Sequence, residues 1–237
     1  MGIRRGEITT KIVSDGLILN IDPANRSSTI PSTSTTTTFN TIDTSISGVF
    51  YNGATWEPDN KGIFHFDGID DYIGTNDASS LFTNTFTMSF WWKLSDATSA
   101  NSPYILNSPN YYVVGKNGNF SYRIDPPSQI TFQSYDGRSN VQYMINNGLS
   151  LSADIWYNTV LTSDGTTAGK HYINGILYTS GTRHILSRNL SDISNGLYFG
   201  KSGNEEFKEG PTQIYNRALS AEEVLSNYNG LRGRFGV

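Results

Sequence analysis

The chain has 237 residues, of which 36% are hydrophobic and 16% charged, with a formal net charge of −4 and no cysteine. That length suits a single large domain. The missing cysteine excludes disulfides, thiolate nucleophiles and Cys-ligated metals, and the mildly acidic balance offers no polycationic face to DNA or RNA.

Residues 1–14, "MGIRRGEITTKIVS", are polar and without a clean period, so they read as an N-terminal arm. They lack the apolar run of a secretory signal, and no later stretch reaches the roughly 20 apolar residues of a membrane-spanning helix. Neither nucleic acid nor membrane is therefore expected as a partner. "GLILNID", 16–22, is the first strand. The Ser/Thr-rich stretch 26–48 offers little apolar surface and is expected to be a long surface loop. From residue 49 short strands follow one another, separated by Asn-Gly, Asp-Gly, Pro and Asn signals. In "TFTMSFWWKL", Phe86, Met88, Phe90, Trp92 and Leu94 share one strand face and are assigned to the core, with Trp91 on the other. In "YINGILY", Asn174-Gly175 fits a type I′ hairpin turn. One helix is expected at "LSAEEVLSNYNG", where Ser220 and Glu223 form a capping box and Gly230 ends the run. Residues 231–237 are left as a C-terminal tail.

The stretch "FHFDGIDDYI", 64–73, concentrates acidic groups at a glycine. An EF-hand is excluded, because that loop needs oxygen ligands at alternate positions before its glycine and a glutamate six residues after it. Two readings stay open. In one, Gly68 turns the chain and Asp67, Asp70 and Asp71 accept hydrogen bonds from nearby N–H groups. In the other, these carboxylates hold a calcium ion together with loop carbonyls, the one cofactor considered. His65 alternates with Phe64 and Phe66 and should point away from the core; with His171 and His184 remote in sequence, zinc has no support.

"FDGIDDYI", "FTMSFWWKL", "IWYNTVLTSDGTTAGKHYINGILYTSG" and "IYNRALSAEEVLSNYN" together resemble laminin G-like, concanavalin A-type lectin/glucanase domains, over nearly all of residues 15–230. The resemblance implies an all-β, two-sheet antiparallel jelly roll with a short C-terminal helix. The terminal stretches "GEITTKIVSDGLILNIDPAN" and "SNYNGLRGRFGV" are similar to those of lectin-fold virion proteins of tailed phages, especially phages of marine cyanobacteria. That implies a virion location, as a capsid decoration or tail appendage.

Some relatives cleave glucans, and a retaining glycosidase needs two carboxyls about 5 Å apart. The glucanase pattern is E-x-D-x-x-E or E-x-D-x-E; here "EEFKE" sets Phe207 between Glu205 and Glu209. No catalytic residue is assigned. Where many members read D-E-V-R-I-Y-N-R-A-L-S, this chain has "GPTQIYNRALS", so Gly210 and Pro211 replace the acidic pair.

A sugar site combines exposed aromatic rings with polar side chains. Trp91, Tyr111, Tyr112, Tyr135, Asp136, Arg138 and Asn140 are the candidates, although Trp91 falls where the family usually carries a tryptophan, which favours burial under a loop. Arg4, Arg5, Arg232 and Arg234 cluster at the two ends and could dock the domain on an acidic scaffold. The expectation is a non-enzymatic virion protein whose partners are other virion proteins, cell-surface glycans and further copies of itself. A free carbohydrate-binding lectin and a glycoside hydrolase are the alternatives.

Overall fold

A computed structural model describes residues 12–76, 81, 83, 85–98, 101–108, 117–136, 140–145, 149–165, 169–180, 196–200 and 205–237, with backbone alone at 117–119, 134–136, 140–145 and 179–180. Arg4, Arg5, Tyr111, Tyr112 and Arg138 lie outside the described residues.

Two eight-stranded antiparallel sheets form the body. The first runs β14 (Ile176–Ser180), β13 (Lys170–Ile173), β12 (Tyr157–Asp164), β7 (Thr85–Leu94), β16 (Phe207–Tyr215), β5 (Ile63–Phe66) and β4 (Thr55–Glu57), while β1 (Leu17–Ile21) also pairs with β16. The second runs β11 (Asn140–Ile145), β10 (Gln129–Asp136), β9 (Asn117–Asp125), β8 (Tyr104–Asn107), β15 (Tyr198–Phe199), β6 (Tyr72–Thr75), β3 (Ser47–Tyr51) and β2 (Thr37–Phe39). This is the jelly-roll sandwich that the strand spacing and the family resemblance implied.

The inner faces interdigitate as sheet-on-sheet packing requires. Phe86, Met88, Phe90, Trp92 and Leu94 are fully buried there, facing Ile73, Leu106, Phe120, Tyr122 and Phe132 of the second sheet. Alternation on β7 thus holds, but its other face is buried as well. Helix α1 (Ala221–Phe235) lies across it. The Ser220 hydroxyl accepts from the Glu223 amide and the Glu223 carboxylate accepts from the Ser220 amide, so the capping box forms. The helix does not stop at Gly230; it runs to Phe235 and ends at Gly236, in left-handed conformation with φ 74°. Packing overrides the two internal glycines, each costing about 1 kcal/mol. Phe235 stacks on Trp91 at 4.3 Å and contacts Trp156 at 4.6 Å, while Tyr228 stacks on the same Trp91 at 5.7 Å.

At Asn174-Gly175 both φ angles are positive, 50° and 77°, as a type I′ turn demands. The Ser/Thr-rich stretch departs from expectation. It contains β2 and the start of β3, and Ser28, Thr29, Thr38 and Asn40 are buried to 1% exposure or less. Hydroxyls and an amide do the work of apolar groups: Ser28 Oγ donates to the Phe39 carbonyl at 2.7 Å, Thr29 and Thr38 hydroxyls meet at 2.9 Å, and Asn40 Oδ1 accepts from the Asn20 amide at 2.9 Å. Polar groups satisfied in this way bury at little cost, so a Ser/Thr-rich composition does not require exposure.

Candidate functional site

The outer face of the second sheet carries the most unusual chemistry. Antiparallel register aligns Val49, Gly74, Tyr198, Asn107, Ser121 and Gln133 in one row across β3, β6, β15, β8, β9 and β10. Two positions along the strands, Tyr51 pairs with Tyr72 and their rings stack at 4.7 Å and 14°. Tyr198 meets Tyr72 edge-on at 5.3 Å. Gly74 makes this arrangement feasible, because a Cβ there would lie 3.2 Å from the Tyr198 ring and 3.3 Å from that of Tyr51. The three rings form a step beside a bare strand, and Tyr51 at its end is 41% exposed. Partial burial, with Tyr198 and Tyr51 adjacent, holds the Tyr72 hydroxyl above the usual tyrosine range.

Beyond the tyrosines the row becomes polar and deep. Asn107 and Ser121 are fully buried, yet among the described residues neither end of the Asn107 amide nor the Ser121 hydroxyl has a hydrogen-bond partner. Each such group costs about 1–3 kcal/mol. Buried polar groups left unsatisfied call for an explanation, and these two lie on the same face as the aromatic step. The flank is built and rigid. Arg123 Nε donates to Asp125 Oδ1 at 2.8 Å and Nη1 to Gln133 Oε1 at 3.1 Å, with the Tyr104 ring 5.9 Å from the guanidinium. Burial works against the Arg123 charge, but Asp125 and Tyr104 more than offset it and hold its pKa above the usual value. Thr131 Oγ1 donates to the other oxygen of Asp125.

The sequence-derived candidates fare unevenly. Trp91 is a correction: at 1% exposure, pressed under Tyr228 and Phe235, it presents no ring to a sugar. Arg234 is another, because its guanidinium serves the fold. It pairs with Asp22 at 2.6 Å and donates to the carbonyls of Asn60 and Gly62, closing the helix end onto the first sheet. Arg232 stays exposed, its guanidinium 5.9 Å from the Tyr228 ring. Tyr135 and Asn140 face each other in the β10–β11 ladder and Asp136 continues β10; their side chains are outside the described residues. Tyr51, Tyr72 and Tyr198 escaped sequence reasoning. The available signal was Gly74 inside a strand, which marks a close approach.

The acidic corner is a turn. Asp67 Oδ1 accepts from the Ile69 amide at 2.8 Å, Asp71 Oδ2 from the Asp67 amide at 2.9 Å, and Gly68 takes φ 78° against the backbone of Glu205 and Glu206. Of "EEFKE", Glu206 pairs with His65 at 3.0 Å, and Glu209 is fully buried on the core-facing side, in register with Phe64 and Trp92. Burial pushes Glu209 up to about 8, which keeps it protonated at neutral pH.

A family model described as the concanavalin A-like lectin/glucanases superfamily matches residues 67–225. The chain belongs to this superfamily. Among solved structures it is similar to the binding domain of botulinum neurotoxin serotype D (19% identity, TM-score 0.68, covering 91% of this chain and 52% of that one). It is also similar to the binding domain of Paraclostridial Mosquitocidal Protein 1 (15%, 0.70, covering 90% and 52%). The serotype G binding domain gives 17% and 0.64, covering 90% and 50%. This chain thus spans about half the length of these structures. No curated protein matches in sequence.

Proposed function

We propose that this protein is a non-enzymatic glycan-binding module whose ligand lies on the outer face of the second sheet. One observation carries the reading: a stacked tyrosine step runs directly into the buried Asn107 and Ser121, whose polar groups have no partner among the described residues. Sugar C–H faces pack on tyrosine rings, and hydroxyls meet both the donor and the acceptor of an amide. Likeness to toxin binding domains supports a binding rather than a catalytic role. So does the burial of Glu209 in the core, which takes the nearest glucanase-like carboxylate away from any substrate.

Titration on a glycan array, followed by calorimetry with the best hit, tests the reading. Tyr51→Ala should weaken binding by about two- to tenfold, since an aromatic contact contributes about 0.5–1.5 kcal/mol. Asn107→Leu should abolish binding while raising the unfolding midpoint, because it removes the unsatisfied polar atoms and keeps the branched side-chain shape. An Asn107 with a purely structural role predicts the opposite sign. Absence of glycan binding at millimolar sugar, or variants that bind like the parent, would remove the proposal.

The terminal stretches that resemble phage proteins support a setting on a virion, where many copies would convert weak single sites into avidity. Mass spectrometry of purified particles tests it: a fixed stoichiometry is expected, and absence from the particles rejects that setting.

A further inference from the structure

The flank of the sandwich away from the tyrosine step carries an apolar surface. Tyr122 of β9 meets His171 of β13 on this side, whereas Phe50 of β3 packs on Phe64 of β5 on the other, so the stacked tyrosines lie at the far edge. β14 ends the first sheet here, and its apolar side chains are bare: Ile176 is 70% exposed, Leu177 47% and Tyr178 37%. Ile176 leans to the core side, in register with Ile173, and Leu177 to the helix side, with Tyr172. Among the described residues no strand lies beyond β14, so both are reached from the same flank. Helix α1 extends the patch with Leu225, 43% exposed. A Cβ at Gly175 would lie 3.0 Å from Leu225 and 3.0 Å from the Tyr228 ring, so hairpin and helix are pressed together and the patch is rigid. The four side chains expose about as much surface as two whole ones, on the order of 300 Å², and an apolar patch of that size on a monomer is often functional.

Backbone and charge decide what fits. Tyr178 is the extra residue of a bulge opposite His171 and Tyr172, which breaks the ladder after Leu177 and leaves little for an added strand to bond. Side chains must therefore make the contact. The chain carries a net charge of −4, and three other exposed isoleucines, Ile42, Ile69 and Ile155, stand beside Asp43, Asp70 and Asp154, where a second acidic chain is repelled. The β14 patch has a balanced rim instead. Lys170 on β13 and Glu222 in the first turn of α1 are both exposed, and near enough for the lysine charge to act on the carboxylate. One base with one acid is complementary to itself under a twofold axis, because each lysine can meet the glutamate of the other copy.

We infer that β14 and the start of α1 form a self-association surface, on which a second copy of this chain packs Ile176, Leu177, Tyr178 and Leu225 against their twofold equivalents. With a polar rim in the usual proportion, the pair buries on the order of 1,000 Å², the weak end of specific interfaces. The dimer is thus reversible, with Kd in the micromolar range or weaker, and it leaves both tyrosine steps open at the outer flanks.

Sedimentation velocity of the full chain from about 1 μM to about 1 mM tests this. The weight-average mass is expected to rise from one chain towards two and stop there, since an isologous contact closes on itself. Ile176→Lys and Leu225→Lys, at positions already exposed, should each weaken the dimer roughly tenfold or more, whereas Ile69→Lys should leave it unchanged. Lys170→Glu and Glu222→Lys should each weaken it, and the double exchange should restore it. Thermal melts followed by circular dichroism separate lost association from lost folding. A single mass at every concentration overturns the inference and assigns the patch to a partner of different sequence. So does a dimer indifferent to both lysine substitutions, or a mass that grows past two copies, the mark of open strand pairing. These readouts involve no sugar, so their failure leaves the glycan proposal standing, and the reverse holds.

Discussion

Glu209 and His171 are both enclosed in the core, and they oppose one another in their response to pH. Glu209 accepts from the Thr212 hydroxyl at 2.5 Å but leaves Oε2 bare, and burial raises it from 4.5 to about 8. His171 shares a 2.8 Å hydrogen bond with the Tyr122 hydroxyl, leaves Nδ1 bare, and burial lowers it from 6.5 to about 3. The raised carboxyl contributes stability that is complete below about 4.5 and is lost as pH climbs through 8. The depressed imidazole contributes stability present above 6.5 and lost as pH falls through 3. Between about 4.5 and 6.5 the two slopes cancel, so stability should form a plateau there and fall on both sides. Above the plateau the loss should reach about 2 kcal/mol by pH 8, and Glu209→Gln should flatten that limb while turning the plateau into a slope that rises from about 4.5 to 6.5. Urea titrations across pH 3–9 measure this; an alkaline limb unchanged in the variant would refute the assignment.

At the scale of the element, the C-terminal helix explains where this chain departs from its family pattern. Gly210 stands where relatives carry an acidic residue, and a Cβ there would come within 2.7 Å of the Phe235 ring and 3.0 Å of Trp91 Cβ. Pro211 cannot donate to a neighbouring strand, and β16 slips register between Glu209 and Thr212 at that point. The missing side chain and the bulge together make a floor for Phe235. Gly210→Asp should displace the helix end and cost more than about 2 kcal/mol, and Phe235→Ala about 3–5 kcal/mol. Ser220→Ala, which removes only the cap, should cost about 1 kcal/mol. Chemical denaturation ranks the three; a Gly210→Asp protein as stable as the parent would show that the floor is not needed.

For the whole molecule, the decisive pairing joins distant parts of the chain. β16 lies at the centre of the first sheet, where it pairs with β7, β5 and β1, so Leu17 opposes Tyr215. The sheet cannot close until nearly the full chain is present, and folding dominated by such contacts is slow. A chain truncated before Phe207 loses the strand that joins β1 and β5 to β7, and it should be unfolded by circular dichroism and cleaved readily by protease. A protected truncated core would refute this.

Much of the fold was legible in the sequence because its signals are local. Period-2 alternation on β7, the Asn174-Gly175 turn and the Ser220–Glu223 box each depend on residues within a few positions of one another. Signals failed where burial came from elsewhere. Trp91 looked available because its cover, Phe235, lies 144 positions away and beyond a glycine that should have ended the helix. Serines and threonines at 28–38 looked exposed because their partners are each other.

The sequence by itself determined the all-β class and the inward face of the strands. These follow from side-chain periodicity and backbone preference, which act over a few residues. Only the tertiary structure decided which residues share the candidate binding face. Tyr51, Tyr72, Tyr198, Asn107 and Ser121 come from five strands, and hydrogen-bond register between strands, a property of no single segment, is what sets them side by side.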